Sequence, residues 1–594
     1  MPYSSDEDCS DYDDYSAGGC RLYKKPVVTP KGRKGMGSTT TSVSSTPRST
    51  ASKVTPGKTS SNTPSGAPSC LSGSVQSTPS QLRMSASSKY LGELVEESKR
   101  DEDIIRNAVK DLKGSMAVHV LVVGHVDAGK STTFGHLALL TGNIDPHEAE
   151  KLTRLAEDMG KSSFGYAFLL DTDSEERSRG VTIDVCNHTL RIALPTLGEE
   201  LAEPRTFALQ DCPGHRDFVP ALISSATRPD AAVLLVDASQ GEFEKGISTD
   251  GQTLEHVQLL MVFGIKTLIV AINKMDRSSW CEKRYNEIVT KLSTIIKDDV
   301  QFKGLLQFIP ISGIGPDEEN NLVPGQATKL PDWVSQGPSL AEALYRIQTN
   351  RSTSLVKGKY SQPTLVLFDA QIEMLGGKRC YSCTCLVESG ILKATDSVVN
   401  IPSGYPFQVA SITMFGEQRD NAVAYDVVTL NLFPDSRVLK PCTPCEKLDT
   451  VTVLSNLKPG SCFILTGVIL DTDAIKVGTR FNGVTITVRI KVKVLILDQQ
   501  RGLGRGDMYD CYLGANRIEA TVRKIDAQLR MDGSVERENP PIVGWKRYAR
   551  LTLQLDSCVV AREFADSKFL GRVILRGDNK TVAIGFVERI SEKP

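Results

Sequence analysis

Hydrophobic positions along this chain fall into four regimes. Up to about residue 88 they are scarce, and Ser, Thr and Pro dominate residues 38–88. Such a stretch buries too little surface to offset its chain entropy, so residues 1–88 are read as a disordered tail. Residues 89–116 carry apolar side chains at helical spacing and are read as a helical lead-in. From 117 to about 355, near-continuous apolar runs alternate with amphipathic stretches. The pattern predicts strands at 117–123, 206–210, 231–236, 267–272 and 306–311. It predicts helices from 131 onward and at 251–263, 281–297 and 339–349. Strands apolar on both faces need cover on both faces, which implies a doubly wound, mostly parallel α/β sheet. After about 360 the runs shorten and alternate with period two, for example at 364–368, 409–413, 427–432 and 484–494. Gly, Pro and Asp turns separate them. This all-β texture predicts two antiparallel β-barrels, over 360–475 and 476–594.

Composition narrows the class of protein. The chain has 594 residues, 40% of them hydrophobic, with a mean hydropathy of -0.18, which suits several soluble domains. No run of about eighteen apolar residues suggests a membrane helix. The acidic, polar N-terminus does not read as a secretory signal. A cytoplasmic protein is expected. Net charge of -1 gives no global pull toward nucleic acid. Charge is uneven locally: residues 6–14 form an acidic head bearing Tyr12, and residues 21–60 are basic without acids. A solvated linker and a docking tail both fit. Residues 480–594 hold 21 basic and 14 acidic side chains, which fits either an RNA-backbone patch or scattered surface charge. The 14 cysteines are expected to be reduced. Cys380-x-x-Cys383 and Cys442-x-x-Cys445 have zinc-like spacing. The run around Cys380, Cys383 and Cys385 alternates as a strand, however, and is read as ordinary strand cysteines without a metal.

Three segments of the α/β region carry recognisable chemistry. Gly124, His125, Val126, Asp127, Ala128, Gly129, Lys130 and Ser131 spell G-x-x-x-x-G-K-S between a predicted strand and helix, with Thr132 following. In a phosphate loop, backbone N–H groups wrap the phosphates at the positive end of the helix. Lys130 would reach the β and γ phosphates, and Ser131 would ligate Mg²⁺. Asp211 ends a predicted strand and opens Asp211-Cys-Pro-Gly-His215. It can hold Mg²⁺ through a water, Gly214 admits the γ-phosphate, and His215 is suited to orient the attacking water. Asn273, Lys274 and Asp276 follow a buried strand, where nucleotides bind in such sheets. Asp276 can accept from both N1–H and the exocyclic amine of guanine, a pair that adenine lacks. Ser312, Gly313 and Ile314 are read as closing the base pocket through backbone N–H. Residues 174–184 are either an exposed linker or a switch in which Thr182 binds Mg²⁺ and the γ-phosphate. Together these imply an α/β P-loop G domain that uses GTP/GDP and Mg²⁺. A nucleotide-sensing scaffold without hydrolysis is disfavoured by intact Lys130, Ser131, Thr182 and His215.

These segments resemble the elongation factor 1-alpha branch of translational GTPases. Met159-Gly-Lys-Ser-Ser-Phe-Gly-Tyr-Ala, Gly241-Glu-Phe-Glu-Lys-Gly and Gly251-Gln-Thr-Leu-Glu-His add to the three motifs. Phe569-Leu-Gly-Arg and Thr581-Val-Ala-Ile-Gly-Phe-Val extend the resemblance to the last barrel. Glu175-Glu-Arg-Ser-Arg-Gly-Val-Thr-Ile-Asp-Val, Val236-Asp-Ala-Ser-Gln-Gly-Glu-Phe and Asn273-Lys-Met-Asp-Arg-Ser-Ser-Trp are most similar to Hbs-type ribosome-rescue GTPases. That resemblance implies a monomer working with the ribosome and a Pelota-like partner in mRNA surveillance (no-go and non-stop decay). It also implies a hydrophobic gate at Val126 and Val181. Delivery of aminoacyl-tRNA and a termination-factor role are the alternatives within the branch. The sequence departs from the branch at 191–205, which reads as an insertion, at Ala221-Leu-Ile-Ser-Ser, and at 435–462.

Overall fold

The computed structural model describes most of residues 117–591. It leaves out residues 1–116, the stretches 195–202, 349–362, 436–449 and 466–474, and several gaps of one to three residues. The tail and the helical lead-in therefore lie outside the described residues, as do Val181, Cys442 and Cys445.

Strand β1 (Val118–Gly124) is buried along its whole length, which is why its sequence shows no alternation. It runs into α1 (Lys130–Leu140) through a loop whose Asp127 and Gly129 have φ of 58° and 88°. Asp145 caps α2 (Pro146–Asp158) by accepting from the His147 N–H, with proline at the first helical position. A 3-10 turn (Ala167–Leu169), α3 (Ser174–Arg179), β2 (Cys186–Ile192) and β3 (Arg205–Asp211) follow. The rest of this domain is α4 (Val219–Ser225), β4 (Ala231–Asp237), α5 (Glu242–Ile247), α6 (Gln252–Phe263), β5 (Thr267–Asn273), α7 (Glu282–Thr294), β6 (Leu305–Pro310), α8 (Asp332–Ser335) and α9 (Leu340–Tyr345).

The strand order is β2-β3-β1-β4-β5-β6. Among the described residues, β2 runs antiparallel to its neighbour and the other four pairings of this sheet are parallel. Alternate residues of β1 serve the two faces. Leu121 and Val123 pack beneath α4 and α6, while Val120 and Val122 pack with α1 and α9. The five parallel strands coincide with the predicted runs. The pattern predicts neither β2 nor α3. β2 is an edge strand that exposes Asn187, Thr189 and Arg191 at alternate positions, so it lacks an apolar run. The expected insertion at 191–205 includes the end of β2 and the start of β3, so it is the connection of a β-hairpin. The helix expected at 281–297 ends at Thr294 and continues as a π turn over Ile295–Asp299.

Two closed antiparallel barrels of six strands follow. In the first, the strand Lys378–Ser389 carries Tyr381, Cys383 and Cys385 into the barrel core. Cys380 faces the other way, toward Asn431, so the alternation predicted for these cysteines is the one observed. Ser567 of the second barrel donates to Glu388 of the first at 2.6 Å. The second barrel also packs on the α/β domain. Tyr512, Ile574 and Ile584 join the core beneath α4 and α6. Arg576 bridges to Glu255 of α6 at 2.5 Å. Arg572 lies between the rings of Phe263 and Phe569 and donates to the carbonyls of Ile223 and Ala226 at the end of α4. Among the described residues, no helix is long and apolar enough to cross a membrane.

Candidate functional site

The loops that leave the C-terminal ends of β1, β3 and β5 meet in a cleft of about 220 Å³. Val126, Asp127, Gly129, Lys130, Ser131 and Thr132 form its floor. Thr182, Gly214, Asn273, Lys274, Gly313 and Ile314 also line it. Thus residues from all three motifs, and from the 174–184 segment, reach one cavity. His125 and Ala128 line a second cavity of about 300 Å³ with Val126, Asp127 and Lys274.

One side of the cleft is braced by side chains that satisfy one another. Asn273 Nδ2 donates to the Ala128 carbonyl at 2.8 Å, and its Oδ1 accepts from the Gly313 N–H at 2.8 Å. Lys274 Nζ donates to the Asp127 carbonyl at 2.7 Å and pairs with Asp237 at 2.8 Å. Ser312 Oγ donates to Asp276 Oδ1 at 2.6 Å. These contacts alter one sequence reading. The N–H groups of Ser312 and Gly313 were expected to face the base, but the Asn320 carbonyl and Asn273 take them. Buried donors need a partner, and these find theirs inside the protein. Their part is to hold Asp276 and Asn273 in place.

The other side is less satisfied. Lys130 is buried, and its Nζ donates to the carbonyls of Gly124 and His125 at 3.2 and 3.0 Å. Burial lowers its pKa, against the pull of Asp211. Gly214 approaches so closely that a Cβ there would stand 2.5 Å from Lys130 Nζ. Asp211, at the end of β3, is 2% exposed. Burial pushes its pKa up to about 6, although a hydrogen bond from Ser131 and the Lys130 charge oppose this. Its Oδ1 has no hydrogen-bond partner among the described residues. The hydroxyls of Ser131 and Thr182 lie 3.2 Å apart. Glu176 of α3 is buried and adds to the upward push on Asp211, and Thr182 is buried as well, so these two described positions do not belong to an exposed linker.

His215 stands apart. It begins a 3-10 turn, its Nδ1 accepts from the Asp217 N–H at 3.2 Å, and its side chain is 48% exposed. It does not line the cleft, whereas its neighbour Gly214 does. Of the expected hydrophobic gate, Val126 lines both cavities and Val181 lies outside the described residues. Phe164, Ala167 and Arg277 line the cleft without having been assigned a role from sequence. Phe164 and Ala167 lie in Met159-Gly-Lys-Ser-Ser-Phe-Gly-Tyr-Ala, where an aromatic in a polar stretch was the available signal.

Comparison with known proteins agrees with this architecture. Residues 115–347 match the family described as Elongation factor Tu GTP binding domain. Residues 489–588 match the GTP-eEF1A C-terminal domain-like family. Protein HBS1 of Drosophila melanogaster is 32% identical over 503 residues, covering 82% of this chain and 66% of that protein. The chain thus spans just under two thirds of that relative. Elongation factor 1-alpha-A of Schizosaccharomyces pombe is 31% identical over 491 residues, covering 80% of this chain and 94% of that protein. The Ski7 GTPase-like domain of S. cerevisiae, solved with GTP, shares the fold at a TM-score of 0.60 and 18% identity, covering 80% of this chain and 97% of that one. By its motifs, its three-domain architecture and these relatives, the chain belongs to the elongation factor 1-alpha branch of translational GTPases.

Proposed function

We propose that this GTPase rescues stalled ribosomes with a Pelota-like partner, as a cytoplasmic monomer serving no-go and non-stop mRNA decay. The observation that carries the nucleotide reading is the single cleft that joins Lys130, Ser131, Thr182 and Gly214 to Asn273 and Lys274. The resemblance to Hbs-type proteins in the segment holding Thr182 supports the rescue reading, as does similarity to Protein HBS1.

In this reading the backbone N–H groups of residues 124–132 cradle the phosphates, and Lys130 leaves its two carbonyls to meet the β and γ phosphates. Asp276, held by the Ser312 hydroxyl, recognises guanine beside Lys274. The donor set fits Mg²⁺. Two close hydroxyls, on Ser131 and Thr182, and an orphaned carboxylate oxygen on buried Asp211 are what a hard cation with retained waters accepts. Bound there, the ion would neutralise charge that develops on the phosphates. His215 Nδ1 is engaged, which leaves Nε2 to hold a water. Ribosome contact would turn this exposed side chain into the cleft. The water oxygen then bonds to the γ-phosphorus, the bond to the β–γ bridging oxygen breaks, and GDP and phosphate leave. Thr182 lets go once the γ-phosphate departs.

The test is GTP turnover by the full chain with and without empty-A-site ribosomes, together with a pull-down of Pelota-like protein against charged tRNA. Ribosome stimulation that drops about 100-fold or more in His215→Ala is expected, as is capture of the Pelota-like protein. Stimulation that His215→Ala leaves intact would remove the catalytic role. Preferential capture of charged tRNA would favour aminoacyl-tRNA delivery instead.

A further inference from the structure

A buried histidine ties the base side of the cleft to the segment that leads toward Thr182. His136 lies on α1 and is 1% exposed. Its Nδ1 sits 2.9 Å from the Gly313 carbonyl oxygen. A carbonyl can only accept, so Nδ1 carries the proton. The ring lies flat on Tyr166, with centroids 4.1 Å apart and planes 10° from parallel. Nε2 lies 3.5 Å from a carboxylate oxygen of Asp317.

The backbone makes this contact possible. A Cβ on Gly135 would stand 2.0 Å from the Tyr166 carbonyl oxygen, so the segment around Tyr166 rests directly on α1. Phe164 and Ala167, on either side of Tyr166, line the same cleft as Gly313 and Ile314. Gly313 is therefore held from both ends. Asn273 takes its N–H and His136 takes its carbonyl. The preceding residue, Ser312, donates to Asp276.

We propose that His136 is a positioning residue for the guanine base, holding residues 312–314 and the Phe164–Ala167 wall at the separation the base needs. Through Ser312 it fixes the Asp276 carboxylate that reads the 2-amino group of guanine. Without the histidine, the Gly313 carbonyl becomes a buried acceptor with no donor, and the loop must shift to find one. The inference rests on the reading of residues 273–276 and 312–314 as the base pocket.

The experiment uses the full-length protein and two measurements. One is dissociation of a fluorescent mant-GDP; the other is competition between GTP and ITP, whose base lacks the 2-amino group. Wild type should prefer GTP to ITP and to ATP; if it prefers none of them, the base-pocket reading itself fails. Given that preference, His136→Ala should speed mant-GDP release by about tenfold and narrow the GTP-over-ITP preference several-fold. His136→Asn keeps a donor without the ring and should restore preference better than release rate. Tyr166→Ala removes only the stacking surface and should speed release, and with His136→Asn it serves if His136→Ala does not fold. Release and preference both unchanged in the folded variants overturn the proposal. So does equal weakening of GTP and ITP, which is what a merely structural histidine would produce.

Discussion

The two sides of the cleft are built on opposite terms. On the base side, Asn273, Lys274, Ser312 and Asp276 spend their polar atoms on one another and on nearby backbone. On the phosphate side, buried Asp211 keeps an unpartnered oxygen, and buried Lys130 settles for carbonyls of its own loop. A satisfied network is rigid and specifies one arrangement; a buried charge short of partners favours whatever completes it. The base side is therefore a template set before ligand arrives. The phosphate side is where ligand binding does work on the protein, and it adjoins the segments carrying Thr182 and His215.

That contrast can be broken, most forcefully at Lys130. Lys130→Ala should cut GTP turnover by about 100- to 1000-fold, since it deletes a cation aimed at developing charge. Single-turnover assays on saturated protein would show it, and near-normal turnover would mean that the buried lysine serves only its own loop. Asp276→Asn comes next. It should cost about 100-fold in GTP affinity while raising affinity for xanthosine triphosphate, because the amide turns one acceptor into a donor. Competition binding measures both, and an unchanged preference removes Asp276 from base recognition. The smallest effect concerns the floor beneath the phosphate loop. His256 on α6 is fully buried, and neither ring nitrogen has a partner among the described residues. Burial, then the charges of Lys130, His125 and Arg576, bring its pKa to about 3 from 6.5. The folded state thus keeps it neutral while the unfolded chain takes up a proton. Stability from this group is complete above pH 6.5 and declines as pH falls toward 3. Between pH 6.5 and 5 the loss is about 2 kcal/mol. His256→Leu should flatten that part of the profile in denaturant melts across pH, and an identical slope would show that other groups set it.

Legibility followed the range of the interactions. β1, β4 and β5 were visible because burial on both faces leaves an unbroken apolar run. The phosphate loop was visible because its glycines, lysine and serine must sit at fixed spacing within eight residues. β2 was not, since an exposed edge strand has no such run. The bracing of the base side was also hidden. Asn273 meets Gly313 across 40 residues, and Ser312 meets Asp276 across 36. Nothing local in either segment announces the partner, and the same gap led the Gly313 N–H to be assigned to ligand. His215 was legible as a residue but not as a position. Its motif names it, while only the fold places its ring outside the cleft.

Arg572 offers a last consequence. Its guanidinium, stacked between the Phe263 and Phe569 rings, also grips the carbonyl oxygens of Ile223 and Ala226 at the end of the helix that follows the His215 turn. The hydrogen-bonded part of this joint is made to main chain and is blind to residue identity. The stretch Ala221-Leu-Ile-Ser-Ser, which departs from the branch's usual wording, sits within that grip. The half-buried positions Ala221, Ser224 and Ser225 can change and keep these hydrogen bonds, provided the last turn keeps its shape, while Leu222 and Ile223 share a core with the barrel's Tyr512, Ile574 and Ile584. A proline or glycine there would cost those hydrogen bonds more than a change of side chain at Ser224 or Ser225.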